Sequence, residues 1–539
     1  MFPPVPRKTI QLVRESLKKK KNLYVELDKL LEDAYKDFDF SPLYSIVGRE
    51  GLHPQILLRA VFIQYTERLS DRRTMEAIAD RNSLKYFLHQ QPNYSGFDSS
   101  TLSDFRSRLL VCDSRDFLLQ PLLDAAKKAG LLKGEKQRTD STHILMAARE
   151  LNQLELCSET LRFALEDLAD NCLPWLISIA KPHWHERYSV ACFNFRIPKK
   201  ENEKNEWIRQ LAEDGAYLLS HIEALDEPNI SCLSVSTLLD VWRQQFIFDD
   251  EDISKGRFRT DKEHVVQAGE LIVSPQDVDA RLGRKREVSH KGYKTHLTET
   301  FDPETPNLIT NVETTDATIA DLDLRRTIEK RLQDRQMTPK EHTVDSGYTD
   351  TKSILESRND GIDVIGEMRE PTHWQAKQGK GFDLSSFKID FEREVAECPQ
   401  GKLSVCWSPR PKEDAILAKF ASKDCKVCPF RIECTKANGP RTIQFKVREH
   451  FNLLRELRER QATDDFKKKY SKRAGIEGTI SQAVRRTGLR RSRFQGFEKT
   501  ILHCVLNAAA INLIRLFDWF CEKPRAKTRI SPVLQLKVA

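Results

Sequence analysis

The stretch HTVDSGYTDTKSILESRNDGIDVIG, residues 342–366, decides how this chain is read. Thr343 and Val344 are β-branched and run into Asp345, which predicts a short strand ending on a carboxylate. Residues 351–357, TKSILES, read as a helix, and residues 362–366, IDVIG, as a buried strand. Strand, helix and strand in close succession predict an α/β fold, a mixed sheet flanked by helices.

The same signals extend upstream. Residues 292–299, GYKTHLTE, and 308–314, LITNVET, alternate like half-buried strands, and a helical segment follows from Ile319 to Leu332. Further back, QRTDSTHIL at 137–145 reads as a strand from its β-branched content, with Asp140 expected at its end. Residues 148 to 250 return to helix, as in TLRFALEDLA at 160–169, and close on an acidic run from Asp249 to Asp252. Residues 1–130 read as helices. LHPQILLRAVFIQY at 52–65 has helical spacing with Pro54 near its start, SDRRTMEAIA at 70–79 has Ser70 or Asp71 as its cap, and a third helix runs from Ser99 to Leu110. Short helices with basic faces suit a DNA-binding unit and an ordinary bundle equally well.

The expected organisation is therefore an N-terminal helical domain at 1–130, with an α/β core at 131–147 and 285–370 interrupted by a mainly helical insertion at 148–284. A cysteine-rich insertion follows at 371–445, then a C-terminal helical part of the core at 446–520 and a tail at 521–539.

Composition bounds the class. The chain has 539 residues, 39% hydrophobic and 31% charged, with a net charge of +8. A core is sustainable, and the small net charge hides local polarity. No run of eighteen apolar residues occurs, so no membrane span is expected. The opening MFPPVPRK lacks an apolar core with a cleavage site, so a cytoplasmic location with reduced thiols is expected.

Charge peaks between Lys467 and Lys499, with eleven Lys or Arg against two acids, Glu477 and Glu498. An acid in such surroundings suits work on a polyanion, where cations hold phosphates and a carboxylate holds a metal. On its own, Glu477 reads more simply as an i,i+4 partner on a solvated basic helix. Asp140 and Asp345 alter the balance, because acids at strand ends lie where α/β sheets place their sites. Three carboxylates from separate elements suit a pair of Mg²⁺ ions, hard cations that prefer oxygen. Taken singly, each Asp reads more simply as structural, Asp345 before Ser-Gly as a turn starter and Asp140 before Ser-Thr as a helix cap.

In order along the chain, TDSTH at 139–143, GYKTHL at 292–297, VDSGY at 344–348 and the Tyr470-x2-Arg473-x3-Glu477 pattern resemble the DDE transposases of bacterial insertion sequences, relatives with a Tyr-Arg-Glu-Lys signature. The resemblance implies an RNase H-like core and a metal-binding catalytic triad of Asp140, Asp345 and Glu477. It also implies two Mg²⁺ or Mn²⁺ ions, cleavage at the element's ends and strand transfer into target DNA. The implied partners are double-stranded terminal inverted repeats and target DNA, bound by a homodimer or larger assembly, with no membrane. A catalytically inactive DNA-binding descendant and a metal-dependent nuclease are the alternatives. One position departs from the signature: Val484 stands where relatives carry Lys, followed by Arg485 and Arg486.

Expected DNA contacts are Tyr470 and Arg473 of the signature, then Arg485, Arg486, Arg490, Arg491, Arg493 and Lys499. Arginine forks suit phosphate. Phe494 and Phe497, between them, read as core residues rather than base-stacking ones. Arg138 reads equally as a surface pair or a DNA contact. Five cysteines fall between Cys398 and Cys434. The knuckle Cys425-x2-Cys428, with Cys398 and Cys434, offers four thiolates to a structural Zn²⁺, with Cys406 to spare; buried reduced thiols are the equal alternative. His183 and His185 have metal spacing but no acid or Cys pattern near them, and read as packing residues.

Overall fold

The computed structural model describes residues 2–18, 20–44, 51–111, 113–192, 198–224, 233–249, 252–260, 263, 265–285, 288–370 and 373–525. Residues 250–251 of the acidic run and most of the expected tail, 526–539, lie outside this set. The chain divides into two compact units. The first comprises 1–133, 140–319 and 476–539; the second comprises 134–139 and 320–475.

In the first unit, the N-terminal region is helical as expected. The helix Pro54–Glu67 starts on Pro54 and ends where Arg68 turns left-handed at φ 58°. It is buried almost all round, so even Arg59 sits inside, held by Asp28 and by the Phe87 carbonyl at 2.8 Å. Ser70 caps the next helix, Asp71–Asp80, by accepting from the Arg73 amide. The helix Phe497–Phe520 packs against Pro54–Glu67 and runs through the core. It is the one helix among the described residues long and apolar enough to cross a membrane, and 83% of its apolar window is buried within the protein.

Strand β1 (Lys136–Leu145) enters this unit at Asp140. The insertion then builds its own core from the helices Gln153–Ile179, Glu201–Glu223 and Leu233–Gln245, with leucines such as Leu161, Leu168, Leu211 and Leu238 buried between them. Gly215 is required there, because a Cβ would fall 2.1 Å from the Trp242 indole. The helical reading missed a hairpin, β2 (Phe246–Asp249) with β3 (Asp252–Phe258). Antiparallel strands β4 (Arg281–Lys285), β5 (Val288–Thr300) and β6 (Ile309–Asp316) follow, β5 pairing with both neighbours. Asn512 of the long C-terminal helix ties itself to β6, accepting from the Ile309 amide at 2.7 Å and donating to its carbonyl at 2.8 Å.

In the second unit, the opening residues of β1 pair in parallel with β7 (Glu341–Thr343), the last pair being Arg138 with Thr343. Strand β7 pairs in parallel with β8 (Asp363–Ile365). The helix Thr351–Asn359 between them matches the expected order. A buried polar chain braces this corner: Thr139 Oγ1 to His342 Nε2 at 2.8 Å, His342 Nδ1 to Glu329 at 3.0 Å, and Arg325 to Glu329 at 3.0 Å. Downstream, β9 (Lys388–Asp390) pairs with β10 (Val395–Glu397). A small sheet of β11 (Ser404–Arg410), β12 (Ala415–Phe420) and β13 (Thr442–Lys446) carries the cysteine-rich segment. The helices Arg448–Ala462 and Asp464–Tyr470 complete the unit. Strands β1 and β4–β8 are the members of a mixed six-stranded sheet.

Candidate active site

Asp140 lies in the middle of β1, not at its end as its sequence suggests. What stops two residues earlier is the ladder to β7. Its side chain is 9% exposed, and its Oδ1 accepts from the Ser141 amide at 2.7 Å. Beyond it, the end of β1 is clasped by the loop after residue 486. The Leu145 amide donates to the Arg490 carbonyl at 2.8 Å, and the Ser492 amide donates to the Leu145 carbonyl at 3.0 Å.

Glu477 sits in the first turn of the helix Gly475–Arg486, with its side chain exposed. Its neighbours explain why. Thr479 is 1% exposed, and its hydroxyl donates to the buried Glu299 carboxylate at 2.6 Å. Arg515 donates to both: Nη1 to Glu299 at 2.6 Å and Nη2 to the Thr479 hydroxyl at 2.6 Å, while its Nε reaches Gln482 at 3.0 Å. Residues two apart on a helix point about 200° away from each other, so pinning Thr479 inward turns Glu477 outward.

In the second unit, Asp345 follows β7 by two residues and begins a short 3₁₀ turn, Ser346–Tyr348, where its Oδ1 accepts from the Gly347 amide at 2.8 Å. The turn-starter reading is thus correct, and among the described residues Oδ2 has no hydrogen bond. Tyr470 lies within the electrostatic reach of this residue. Burial, then the carboxylates of Glu367 and Asp345, push the Tyr470 hydroxyl up to about 12 against the opposing pull of Arg473. The Arg473 guanidinium lies 5.9 Å from the Tyr470 ring centroid. Glu367, two residues past β8, acts on Tyr470 and is a candidate that the sequence reading did not single out. The rule that singled out Asp345, an acid just beyond a strand, would have found it.

Arg138 is neither a surface pair nor an exposed contact. It is 7% exposed, and its Nη1 donates to the Lys472 carbonyl at 2.5 Å. Gly475 abuts the same guanidinium, two residues before Glu477.

The basic residues separate into two groups. Arg485, Arg486, Arg491 and Lys499 are exposed. Arg490 is half-buried, donating to His143 Nε2 at 2.8 Å, and burial lowers its pKa. Arg493 packs 4.8 Å from the Tyr65 ring centroid and donates to the Leu69 carbonyl at 2.8 Å; burial, then neighbouring arginines, lower its pKa. Val484 is half-buried on the helix that carries Glu477. Phe494 and Phe497 are half-buried, Phe494 under Arg106 and Phe497 stacked on Tyr293. His183 bonds Asp214 at 2.9 Å, as a packing role requires.

Cys398, Cys425, Cys428 and Cys434 line one cavity, whereas Cys406 is exposed in β11. Burial raises the Cys434 thiol, and the other three sulfurs add to the rise. Among the described residues, no three His, Cys, Asp or Glu side chains stand together as a group able to hold a metal ion. The donor chemistry of Asp140, Asp345 and Glu477 nonetheless fits a hard divalent cation: all are carboxylates, one is exposed, and one has an unengaged oxygen.

Two family models match the chain. One described as "Transposase domain (DUF772)" covers residues 12–108, and one described as "Transposase DDE domain" covers residues 397–517. The second match includes the cysteine cavity, Tyr470, Arg473 and Glu477. No curated protein and no solved structure matches the chain.

Proposed function

We propose that this chain is an insertion-sequence transposase of the DDE type that cleaves DNA at the ends of its element and joins them to target DNA on an RNase H-like core. The observation that supports the reading is that Asp345 and Arg473 both act on Tyr470 within one unit. This favours assigning the signature segment, which Glu477 follows by four residues, to the same site as Asp345.

Asp140, Asp345 and Glu477 are the residues that would hold two Mg²⁺ or Mn²⁺ ions. When bound, such ions activate a water or 3′-hydroxyl and stabilise a leaving phosphate oxygen. The chain's own groups supply the rest. Tyr470 keeps its proton at working pH and so donates a hydrogen bond. Arg473 offers a planar fork to a phosphate. Arg485 and Arg486, exposed where the signature lysine is replaced by Val484, provide cations on the same helix as Glu477. Arg490 and Arg493 act mainly as internal ties, the first to β1 and the second to the N-terminal helices. Pairing two DNA ends calls for at least two copies of the chain.

The test is a cleavage and strand-transfer assay on the element's terminal repeats with Mg²⁺ or Mn²⁺. Glu477→Gln is expected to abolish cleavage while leaving end binding largely intact, because the side chain is exposed. Near-normal cleavage by that variant would remove Glu477 from the site. Ends that are cut and never joined favour a nuclease; ends bound and never cut favour a DNA-binding descendant.

A further inference from the structure

We propose that Cys398, Cys425, Cys428 and Cys434 bind one structural Zn²⁺ that fixes the cysteine-rich segment, independently of the chemistry at the carboxylates. The four thiols come from separate pieces of backbone: the turn after β10, the helix Ser422–Lys426, the turn that follows it, and the helix Arg431–Cys434. All four face one cavity. The fifth cysteine of the region, Cys406, is not among its lining and is exposed on the small sheet. That is the division of four from five expected of a tetrahedral site.

Local energetics require such a staple. The helices Ser422–Lys426 and Arg431–Cys434 have five and four residues, far too short to stand alone. Neither buries a residue of its own. Val427 is 82% exposed and Ile432 is 85% exposed, so these two apolar side chains do not hold the segment down. The core beneath is small, seven buried side chains including Phe387, Phe420 and Phe445. Small cores of this kind depend on cross-links or metals.

The surroundings are already those of a thiolate centre. The Arg441 amide donates to Cys425 Sγ at 3.5 Å, the kind of bond that supports a ligating sulfur. Arg431 donates to the Cys425 carbonyl at 3.1 Å and to the carbonyls of Ala437 and Asn438 at 3.1 and 2.8 Å, tying the turn to the strand that follows. The thiols stand round the cavity without being drawn to metal-binding separation, so zinc would pull their four supports together. The gain is rigidity of the segment.

The experiment is metal analysis of the full-length protein purified under reducing conditions. The expected result is one zinc per chain, released in step with modification of four thiols by an organomercurial. Exchange of zinc for Co²⁺ is expected to give the visible absorption of tetrahedral cobalt with thiolate charge-transfer bands, a readout on wild-type protein that does not depend on a variant folding. Cys428→Ser and Cys434→Ser are expected to lose the metal, and Cys406→Ser to keep it. Wild-type protein with neither zinc nor a cobalt spectrum, or with Cys425 and Cys428 joined as a disulfide, overturns the proposal. Loss of metal from Cys406→Ser overturns the choice of ligands.

Discussion

Arg138 and Gly475 meet so closely that a Cβ on the glycine would fall 2.0 Å from the arginine Nη1. That guanidinium also donates to the Lys472 carbonyl, so it holds the segment leading to Glu477 at two points. Gly475→Ala is expected to displace the guanidinium or the segment. Misplacing a reacting group by about 1 Å costs roughly 100-fold in rate, so cleavage should fall by about that factor while DNA-end binding changes little. The double variant Gly475→Ala with Arg138→Ala should recover part of the loss, because the clash is gone. Single-turnover cleavage on the terminal repeat, beside a binding titration, reads both effects. An alanine at 475 with unchanged cleavage would show that the contact does not position the site.

A different anchor governs how the Glu477 helix is turned. Arg515→Met removes a cation bonded to the buried Glu299 carboxylate. Breaking a buried pair in this way costs about 3–5 kcal/mol, to be read as a lower denaturation midpoint. Adding Glu299→Gln should restore much of that stability, because the stranded charge disappears.

The two groups of arginines should separate in solution. Replacing exposed Arg485 and Arg486 by Ala is expected to leave thermal stability nearly unchanged and to flatten the salt dependence of DNA binding. Each lost phosphate contact lowers the slope of log K against log salt by about 0.9. Arg493→Ala should do the reverse, because it loses a buried hydrogen bond and a ring contact together worth about 2 kcal/mol. Melting curves and binding titrations at several salt concentrations distinguish them.

Acid should weaken the first unit before its carboxylates titrate. Burial, reinforced by Arg493, lowers His503 from 6.5 to about 3. The folded state then keeps this histidine neutral where the unfolded chain protonates it. Its contribution to stability is complete above pH 6.5 and is lost as pH falls from there towards 3. The slope is about 1.4 kcal/mol per pH unit. In denaturant titrations between pH 6.5 and 5, His503→Gln should show a flatter dependence than the parent.

Much of this was legible in the residues. The strand–helix–strand order from His342 to Gly366 and the Ser70 cap follow from local propensity, and local propensity is what a sequence displays. The hairpin at Phe246–Phe258 was hidden because its residues follow a helix with no turn signal between. The position of Asp140 was misjudged because β-branching marks a strand but not the point at which its partner leaves. The signature and Asp345 announced themselves by spacing. Glu367, Arg138 and the Glu299–Arg515 pair did not, because their significance lies in neighbours more than a hundred residues away, or in a carboxylate whose strand looked ordinary.

The long apolar helix Phe497–Phe520 has a consequence for biosynthesis. It packs against Leu23–Tyr35, Pro54–Glu67 and β6, and Tyr65 and His503 touch across 438 positions of chain. Those early elements therefore emerge from the ribosome with their greasy faces bare and stay so until residues 497–520 are made. A chain interrupted ahead of Phe497 would lack the helix that covers those faces and would be a sticky fragment open to chaperones and proteases.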